Sequence, residues 1–424
     1  MSVARRTRFA RAALLCGVVA WRVAVPAEIH DAAARGDTGE IKRLVEADAA
    51  ALESREQYGH TALHVAAYRG QVAAVELLLS LKANPNARNT AGETPLHLAS
   101  NSIDPTTLVR ALEELPVPGR LPGHDIQKMR ETMSSPQAAL PPTVLAGRPA
   151  VVRLLAAHGA DLNARNAKGQ VPLVFAVVGQ NTSVAEALLL AGADTEARDP
   201  KGSTPLNFAA GVGSANVVEL LLAHGADINT TSHAGFTPLN HAARTGNTTV
   251  VKTLLQHHAD LTIGDREGFR ALQTAAEGGY ADIVALLLGA GAYVNGRADD
   301  GRTALHSAAQ TGYADVVALL LSKGAEVDSL DQNLATPLQF AAIHGHADIA
   351  EILLKAGADI DERARDGMTS LMVAASAGSD EVVKVLIAHH ADLDVRDLSG
   401  RTALDVAEAS GHPGTAALLR EAQR

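Results

Sequence analysis

A 33-residue period constrains this 424-residue chain more than any other feature of its sequence. One copy runs from Gly202 to Ala234 and reads GSTPLNFAAGVGSANVVELLLAHGADINTTSHA. Later copies start in the same phase at Gly235, Gly268, Gly301, Leu334, Gly367 and Gly400. A fixed period of this length predicts an array of small stacked units rather than a single globular core.

The residues of one copy predict two short antiparallel helices. Thr204 is a good N-cap and Pro205 suits the first helical position, so the first helix is expected to begin there. Gly213 can adopt the left-handed conformation that ends this helix. The apolar run over 217–222 predicts a second helix, closed by Gly225 and followed by a polar hairpin-like loop. Because two such helices cannot bury their apolar face alone, the copies must stack on one another.

The recurring pattern G-x-TPLH-x-AA-x-x-G, followed by VV-x-LLL-x-x-GAD-x-N, closely resembles the ankyrin repeat. The resemblance implies an all-α repeat fold, an ankyrin-type solenoid of stacked helix-turn-helix units with hairpin loops. It also implies that the hairpin tips and the first helices line one concave, partner-binding side. Aromatic residues are only 3% of the chain, which suits short helices that approach closely. We interpret the chain as an exported ankyrin repeat protein of bacterial type.

The first 27 residues differ from all that follow. They contain four arginines between Arg5 and Arg11, an apolar run over 12–21 and a small-residue ending at Ala27. This pattern predicts a secretory signal peptide over 1–27, with a mitochondrial-type transit peptide or an uncleaved anchor as alternatives. Cleavage would remove five arginines, so the formal charge would fall from -10 to -15, and it would remove Cys16, the only cysteine. The mature protein would then have no disulfide.

The period divides the remaining chain into repeats with one irregular region. Gly169 follows Gly92 by 77 residues, which we interpret as two periods and 11 surplus residues. The proline-rich stretch 115–144 is expected to be a loop or a loosened repeat. The predicted segments are a divergent N-terminal capping repeat over 28–58, ankyrin repeats over 59–124 with the second one degenerate, an insertion over 125–135, a degenerate repeat over 136–168, seven contiguous repeats over 169–399 and a C-terminal capping repeat over 400–424.

Several histidines and one serine invite a hypothesis of metal binding or catalysis. The sequence contains His257-His258, His389-His390, and His344 close to His346. The two double-histidine pairs lie four repeats apart and cannot share an ion, while histidine in the TPLH position belongs to the repeat pattern. Ser307 beside His306 fits the same pattern, and no nucleophile elbow or phosphate-binding loop accompanies it. We predict no catalytic residue, no metal and no cofactor.

Binding residues are expected where the copies vary, just before each start residue and just after the Ala-Ala pair. The candidates on the hairpin tips are Lys168, Lys201, His233, Arg266, Glu267, Asp299, Asp300, Arg365, Asp366 and Ser399. The candidates on the first helices are Tyr68, Arg69, Arg244, Glu277, Gln310, His344 and Ser376. Their mixed charge predicts a polar contact surface.

The sequence therefore predicts a non-catalytic protein–protein interaction scaffold that is monomeric and periplasmic or secreted. Its net negative charge disfavours nucleic acid and anionic membranes as partners. One alternative is a secreted effector that acts on host or neighbouring cells through the same binding face. Another is an enzyme built on the 115–144 region, where His124, Asp125 and Glu131 are the best chemical groups.

Overall fold

The computed structural model describes residues 28–56, 58–101 and 142–424. Within these ranges the chain forms 22 α-helices and one 3-10 helix, with no β-strand, and the predicted all-α repeat fold is confirmed. The described residues form two compact units, unit 1 (28–101 and 142–197) and unit 2 (198–424). None of the helices in the described ranges combines the length and the apolarity needed to cross a membrane. The predicted signal peptide and the predicted insertion over 125–135 lie outside these ranges.

Unit 1 contains helices that alternate between the first and the second position of each repeat. They are α1 (Glu28–Arg35), α2 (Thr38–Ala47), α3 (Ala62–Tyr68), α4 (Val72–Ser80), α5 (Pro95–Ser100), α6 (Pro142–Ala157), α7 (Pro172–Val178) and α8 (Thr182–Leu190), with a 3-10 helix at Ala49–Glu53.

Unit 2 contains seven helix pairs without interruption. They are α9 (Pro205–Val212), α10 (Ala215–Ala223), α11 (Pro238–Arg244), α12 (Thr248–Gln256), α13 (Ala271–Glu277), α14 (Ala281–Gly289), α15 (Ala304–Thr311), α16 (Ala314–Ser322), α17 (Pro337–His344), α18 (Ala347–Lys355), α19 (Ser370–Ala377), α20 (Asp380–Ala388), α21 (Ala403–Ala409) and α22 (Pro413–Ala422).

Local sequence explains where the helices begin and end. Thr204 is the N-cap of α9, and its hydroxyl accepts a hydrogen bond from the Asn207 N–H at 3.5 Å. The Asn207 side chain in turn accepts from the Thr204 N–H at 3.0 Å. Gly213 ends the helix with a φ of 82°, which an L side chain adopts only with strain. These are the boundaries that the pattern of the 202–234 copy predicts.

Two layers of helices hold unit 2 together. First helices pack on first helices of the next repeat, and second helices pack on second helices. Leu206 of α9 and Leu221 of α10 are fully buried, as are their counterparts in later repeats. Burial of one such side chain stabilises the fold by about 1.5–3 kcal/mol. The core is therefore a thin layer of Leu, Val and Ala between the two helix layers.

Histidines of the TPLH motif connect successive repeats through buried hydrogen bonds. The Nδ1 atom of His306 accepts from the Thr303 N–H at 3.1 Å, so the proton resides on Nε2, which donates to the Ala335 carbonyl at 3.1 Å. His64 and His97 make the same pair of bonds in unit 1. Burial lowers the pKa of His306 to about 4. The ring is therefore neutral near pH 7 and serves as a link between repeats.

A series of arginines links the bases of the hairpin loops. Arg198, four residues before Gly202, donates to the Gly202 carbonyl at 2.9 Å and to the Thr231 carbonyl at 2.6 Å in the next loop. Arg363 bonds the Gly367 and Arg396 carbonyls in the same way. At the place before Gly268 the residue is Gly264, and Arg270 donates to the Arg297 carbonyl at 3.3 Å in its stead. Each link fixes the position of one loop against the next.

The region between Gly92 and Gly169 differs from the arrangement that the spacing predicted. The N–H of Ala167 donates to the Ala91 carbonyl at 2.9 Å, which is the bond that joins directly successive hairpin loops elsewhere in the chain. Helix α5 packs on α3 and α7, and α6 packs on α4 and α8. Helices α5 and α6 are therefore the first and second helices of one repeat. Residues over 136–168 contribute its second half, where we had expected a separate degenerate copy.

Arg148 of α6 stabilises this unusual repeat from within. Its side chain is fully buried and donates to the Asn101 carbonyl, just after α5, and to the Tyr68 carbonyl at 2.7 Å at the end of α3. Its guanidinium lies 5.1 Å from the centre of the Tyr68 ring. Carbonyls at helix C-termini carry partial negative charge, so a buried cation there is favourable. Burial lowers the pKa of Arg148 to about 10.

Candidate binding grooves of unit 2

Six of the predicted binding residues line one groove of unit 2, here called groove A. Its volume is about 910 Å³, and its walls come from the hairpin loops of three successive repeats and from helices α11 and α13. The six residues are Lys201, His233, Arg244, Arg266, Glu267 and Glu277. All six side chains are exposed. The structure therefore brings together side chains that come from separate 33-residue copies.

The wall of groove A contains two phenylalanines at the same place in successive repeats, one residue after the start glycine. Phe236 is half-buried and Phe269 is buried. The guanidinium of Arg244 lies 5.4 Å from the centre of the Phe236 ring, and that of Arg302 lies 5.0 Å from the centre of the Phe269 ring. At such distances a cation is attracted to the face of the ring. Each ring therefore holds one arginine against the groove.

Arg244 is further positioned by His241, which lies one helical turn before it on α11. An Nη2 hydrogen of Arg244 points to His241 Nδ1 at 3.4 Å, and the His241 ring lies 5.4 Å from the Phe236 ring. Burial, and then the positive charge of Arg244, lower the pKa of His241 to about 4. A neutral histidine can accept from Arg244, whereas a protonated one would repel it. The Phe236–His241–Arg244 cluster is therefore compatible with neutral pH.

The charges of groove A divide into engaged and unengaged groups. Arg302 pairs with Asp300 at 2.5 Å and donates to Gln310 at 3.0 Å. Asp265 accepts from two backbone N–H groups of its own loop, at 2.9 and 3.0 Å. Lys201, Arg244 and Arg266, in contrast, form no salt bridge with any residue that the structure describes. These three cations remain available to a partner.

A second groove, here called groove B, lies farther along unit 2 beside α17 and α19. Its volume is about 530 Å³, and three predicted residues, His344, Arg365 and Asp366, line it. Phe340, Ile343 and Val373 provide its apolar wall. Ile343 is 52% exposed, although it is a large aliphatic side chain on a helix whose other face is buried. Groove B is therefore more apolar than groove A.

The remaining predicted residues lie outside both grooves. Asp300 and Gln310 hold Arg302, as described above, and Asp299 is exposed on the neighbouring hairpin tip. Ser376 and Ser399 are exposed on later repeats of unit 2. Lys168, Tyr68 and Arg69 belong to unit 1, where Lys168 is exposed on a hairpin tip and the other two are half-buried. The Tyr68 ring contacts Arg148, so at least one of its faces has a role in the fold.

The sequence-based candidates omitted several side chains that shape the grooves. These are Phe236, His241, Phe269 and Arg302 in groove A, and Phe340, Ile343 and Val373 in groove B. A signal was present in the sequence. Large apolar residues stand one place after Gly235 and Gly268, where other repeats have Ser203, Arg302 or Arg401. An apolar residue in a place that is elsewhere polar indicates a contact surface.

The histidines and the serine that suggested chemistry are engaged in other ways. His257 and His389 pair with Glu219 and Glu351, at 2.7 and 2.9 Å, and each double-histidine motif continues with a residue at positive φ. Ser307 is buried, and both ring nitrogens of His306 bond other groups. In the described part of the chain, no three side chains of His, Cys, Asp or Glu come together in a way that could hold a metal.

Stacked helix pairs with linked hairpin loops, whose variable residues line open grooves, define a helical repeat protein of the class that presents binding surfaces. A family model described as "Ankyrin repeats (3 copies)" matches residues 29–114, 138–232, 230–298, 291–364 and 357–423. The chain belongs to the ankyrin repeat family. Domains of this family are non-catalytic folds that generally mediate protein–protein interaction.

Three relatives show how far the similarity extends. The chain is 28% identical over 156 residues to the Transient receptor potential cation channel subfamily A member 1 homolog of Caenorhabditis elegans, covering 37% of this chain and 12% of the relative. Inversin of Homo sapiens is 28% identical over 182 residues, covering 35% and 16%. Transient receptor potential cation channel subfamily A member 1 of Homo sapiens is 32% identical over 98 residues, covering 23% and 9%.

The aligned parts span less than a fifth of each of these relatives. They support membership of the repeat family. The relatives come from a nematode and from human, so they lend no support to the expectation of an exported bacterial type, which rests on residues 1–27 alone.

Proposed function

We propose that the chain is a non-catalytic scaffold that docks a protein partner on the hairpin loops and first helices of unit 2. We call this surface the loop face. The observation that carries the proposal is the position of grooves A and B. Both grooves are lined by residues that vary from repeat to repeat, while the recurring residues form the core and the links between loops.

The physical argument is one of conservation of backbone and variation of side chains. Leu206, Leu239 and Leu338 are buried at one place of the repeat, and each supports the same two-helix backbone. Arg244 and Ile343 occupy another place and are both exposed. A side chain that does not stabilise the fold is free to serve in recognition, because its replacement costs little folding free energy.

Site-specific photo-cross-linking tests the proposal. A photoreactive phenylalanine analogue replaces Arg244 in groove A or Ile343 in groove B of the full chain, in the cells that produce it. The matched controls carry the same analogue at Glu219 of α10 and Lys252 of α12, which are exposed on the layer of second helices. We expect discrete cross-linked proteins from the two groove positions and a much lower yield from the controls.

Equal yields from groove and control positions would contradict the loop face as the docking surface. A cross-linked protein that is a second copy of this chain would contradict the monomeric scaffold and replace it with self-association. Cross-linked species that change composition between the Arg244 and Ile343 positions would show that the two grooves contact different parts of a partner, which the proposal accommodates.

We also propose that the protein is exported, to the periplasm or beyond the cell. The support is the composition of residues 1–27, with arginines before an apolar run and small residues at Ala27. N-terminal sequencing of protein from fractionated cells is the test. A mature chain that starts at Glu28 in the export fraction supports the proposal, and an intact Met1 in the cytoplasm contradicts it. Detection in the medium or in recipient cells would favour the effector alternative.

A further inference from the structure

We propose that groove A binds a linear segment of a protein partner in which one or two acidic residues neighbour an apolar residue. In this arrangement the partner carboxylate pairs with Arg244, with Lys201 and Arg266 nearby, and the apolar side chain rests on Phe236. The inference deepens the proposed function and depends on it, because it assigns a partner chemistry to one part of the loop face.

Arg244 is prepared for such a contact. The Phe236 ring lies 5.4 Å from its guanidinium carbon, and His241 Nδ1 lies 3.4 Å from one of its nitrogens. Neither group neutralises the charge, and Arg244 has no carboxylate partner among the described residues. A free arginine loses considerable rotamer freedom when it binds, and a positioned one loses less. Arg244 therefore offers an ordered, unpaired guanidinium that suits bidentate recognition of a carboxylate.

Two further cations act in the same groove. Lys201 and Arg266 are exposed on successive hairpin tips, and neither forms a salt bridge within the described part of the chain. The whole protein carries a formal charge of -10, so three unpaired cations in one groove are a local exception. Their combined field attracts and orients an acidic segment during association.

The carboxylates of groove A limit how acidic the partner segment can be. Glu267 and Glu277 are exposed on the same groove, and Asp265 lies in its wall. A long acidic run or a phosphate dianion would meet these groups and be repelled. One or two carboxylates placed against Arg244, followed by an uncharged or basic residue toward Glu277, avoid that repulsion. The same argument disfavours a nucleic acid, whose backbone charge is continuous.

Phe236 accounts for the apolar neighbour. It is half-buried in a chain with only six phenylalanines, and part of its surface faces the groove. An aliphatic or aromatic side chain of the partner that covers this surface would also exclude water from the Arg244–carboxylate pair, and a less hydrated pair is stronger. The two contacts therefore support each other within one short segment.

Selection from a display library of random short peptides tests the proposal on the full chain. Selected peptides are then synthesised with a fluorophore, and their dissociation constants are measured by fluorescence anisotropy. The variants are Arg244→Glu and the matched control Lys252→Glu, which changes an exposed charge of the same repeat on α12. Urea unfolding of each variant confirms that it folds like the parent chain.

We expect the selected peptides to share an Asp or Glu next to an apolar residue. Arg244→Glu should weaken binding about tenfold or more, because a charge-assisted pair is replaced by repulsion. Lys252→Glu should leave the affinity unchanged within about a factor of two. Replacing the peptide carboxylate by its amide should weaken binding to the parent chain and have little effect on Arg244→Glu, since the two changes remove the same contact. A phosphoserine at the acidic place should bind more weakly than aspartate.

Three outcomes would overturn the proposal. They are selected peptides without acidic residues, affinities that Arg244→Glu leaves intact, and failure of the library to yield any peptide that binds the parent chain. Each of these outcomes leaves the proposed docking of a folded partner on the loop face to be decided by cross-linking at Ile343 and Arg244. The two failures are therefore distinguishable.

Discussion

Grooves A and B are built on the same backbone and differ in the chemistry of their walls. One place after the start residue, groove A has Phe236 whereas groove B has Ala335. At the exposed end of the first helix, groove A has Arg244 whereas groove B has Ile343. The result is an arginine stacked on an aromatic ring in groove A and an exposed aliphatic side chain in groove B.

The difference shows which places of the repeat support the fold and which are free. The leucine at the second helical position is buried below both grooves, as Leu239 and as Leu338. The arginine that links hairpin bases is absent before both grooves, at Gly264 and at Leu330. Buried places are restricted by packing, whereas the exposed ones are restricted only by what the grooves bind.

The largest effect is expected from the leucine under groove B. Leu338→Ala removes a fully buried side chain, so the free energy of unfolding should fall by about 2–5 kcal/mol. Ile343→Ala, on the same helix but 52% exposed, should lower it by less than about 1 kcal/mol. Urea unfolding followed by circular dichroism measures both values. Similar losses for the two variants would show that Ile343 is part of the core and that groove B is not a free surface.

The next effect is a pH dependence that His306 brings to groove B. Its pKa in the folded protein is about 4, below the unfolded value of about 6.5. As pH falls through this window the unfolded chain takes up a proton that the folded chain does not, so stability falls. The loss is about 1.4 kcal/mol per pH unit, or roughly 3 kcal/mol at about pH 4. Above about pH 6.5 the contribution is fully present.

His306→Gln should remove this part of the pH dependence. Gln339 already occupies the equivalent place in the next repeat, where its side chain accepts from the Thr336 N–H at 3.1 Å and donates to the Met368 carbonyl at 2.9 Å. The converse change, Gln273→His below groove A, should add a similar dependence there. Urea midpoints at about pH 7 and about pH 4.5 give the slopes. Parallel slopes for the parent and both variants would contradict a neutral buried ring.

A smaller effect is expected at the start residue of the repeats. Gly235 has a φ of 84°, and a Cβ there would lie 2.8 Å from the Arg266 nitrogen, so Gly235→Ala should destabilise by about 2 kcal/mol. Gly225→Ala is the control, since its φ is 85° but nothing lies within 4 Å of the added Cβ, and about 1 kcal/mol is expected. Thermal unfolding ranks the two. Equal losses would mean that the close contact between loops is relieved by a small shift.

The smallest effect on stability is expected from the unpaired cations of groove A. Lys201→Glu and Arg266→Glu should each change the free energy of unfolding by no more than about 0.5 kcal/mol, because both side chains are exposed and lack salt bridges. Urea unfolding at low and high salt measures the change. A loss above about 1 kcal/mol in either variant would show that the cation stabilises the fold, and it would remove that residue from the list of free groups.

The sequence could predict the fold of the regular repeats because their signals are local. Thr204, Pro205 and Gly213 specify the start and the end of α9 through capping and backbone conformation, which depend on neighbours in sequence. It could also place the variable residues on loops and first helices. Six of the 17 predicted binding residues lie in groove A and three in groove B, since the period brings equivalent places into register.

The repeat formed by α5 and α6 could not be predicted in this way. The 77 residues from Gly92 to Gly169 fit two periods with 11 surplus residues, and they fit one period with 44 equally well. Residues 149–157 have the same pattern in either case. The hydrogen bond from Ala167 to Ala91 decides between them, because directly successive hairpins alone make that bond. Arg148, buried against Tyr68 and Asn101, is likewise explained only by this packing.

By itself, the sequence of this protein determined the repeat length, the helix boundaries and the class of fold, because capping, glycine conformation and apolar periodicity act over a few residues. Only the tertiary structure decided which repeats are neighbours and which side chains share a groove. Phe236 holds Arg244, and Arg302 lies over Phe269, through contacts between rings and cations that no spacing in the sequence specifies. The physical reason is that stacking superimposes equivalent places, while the shape and charge of a groove arise from the particular side chains that meet there.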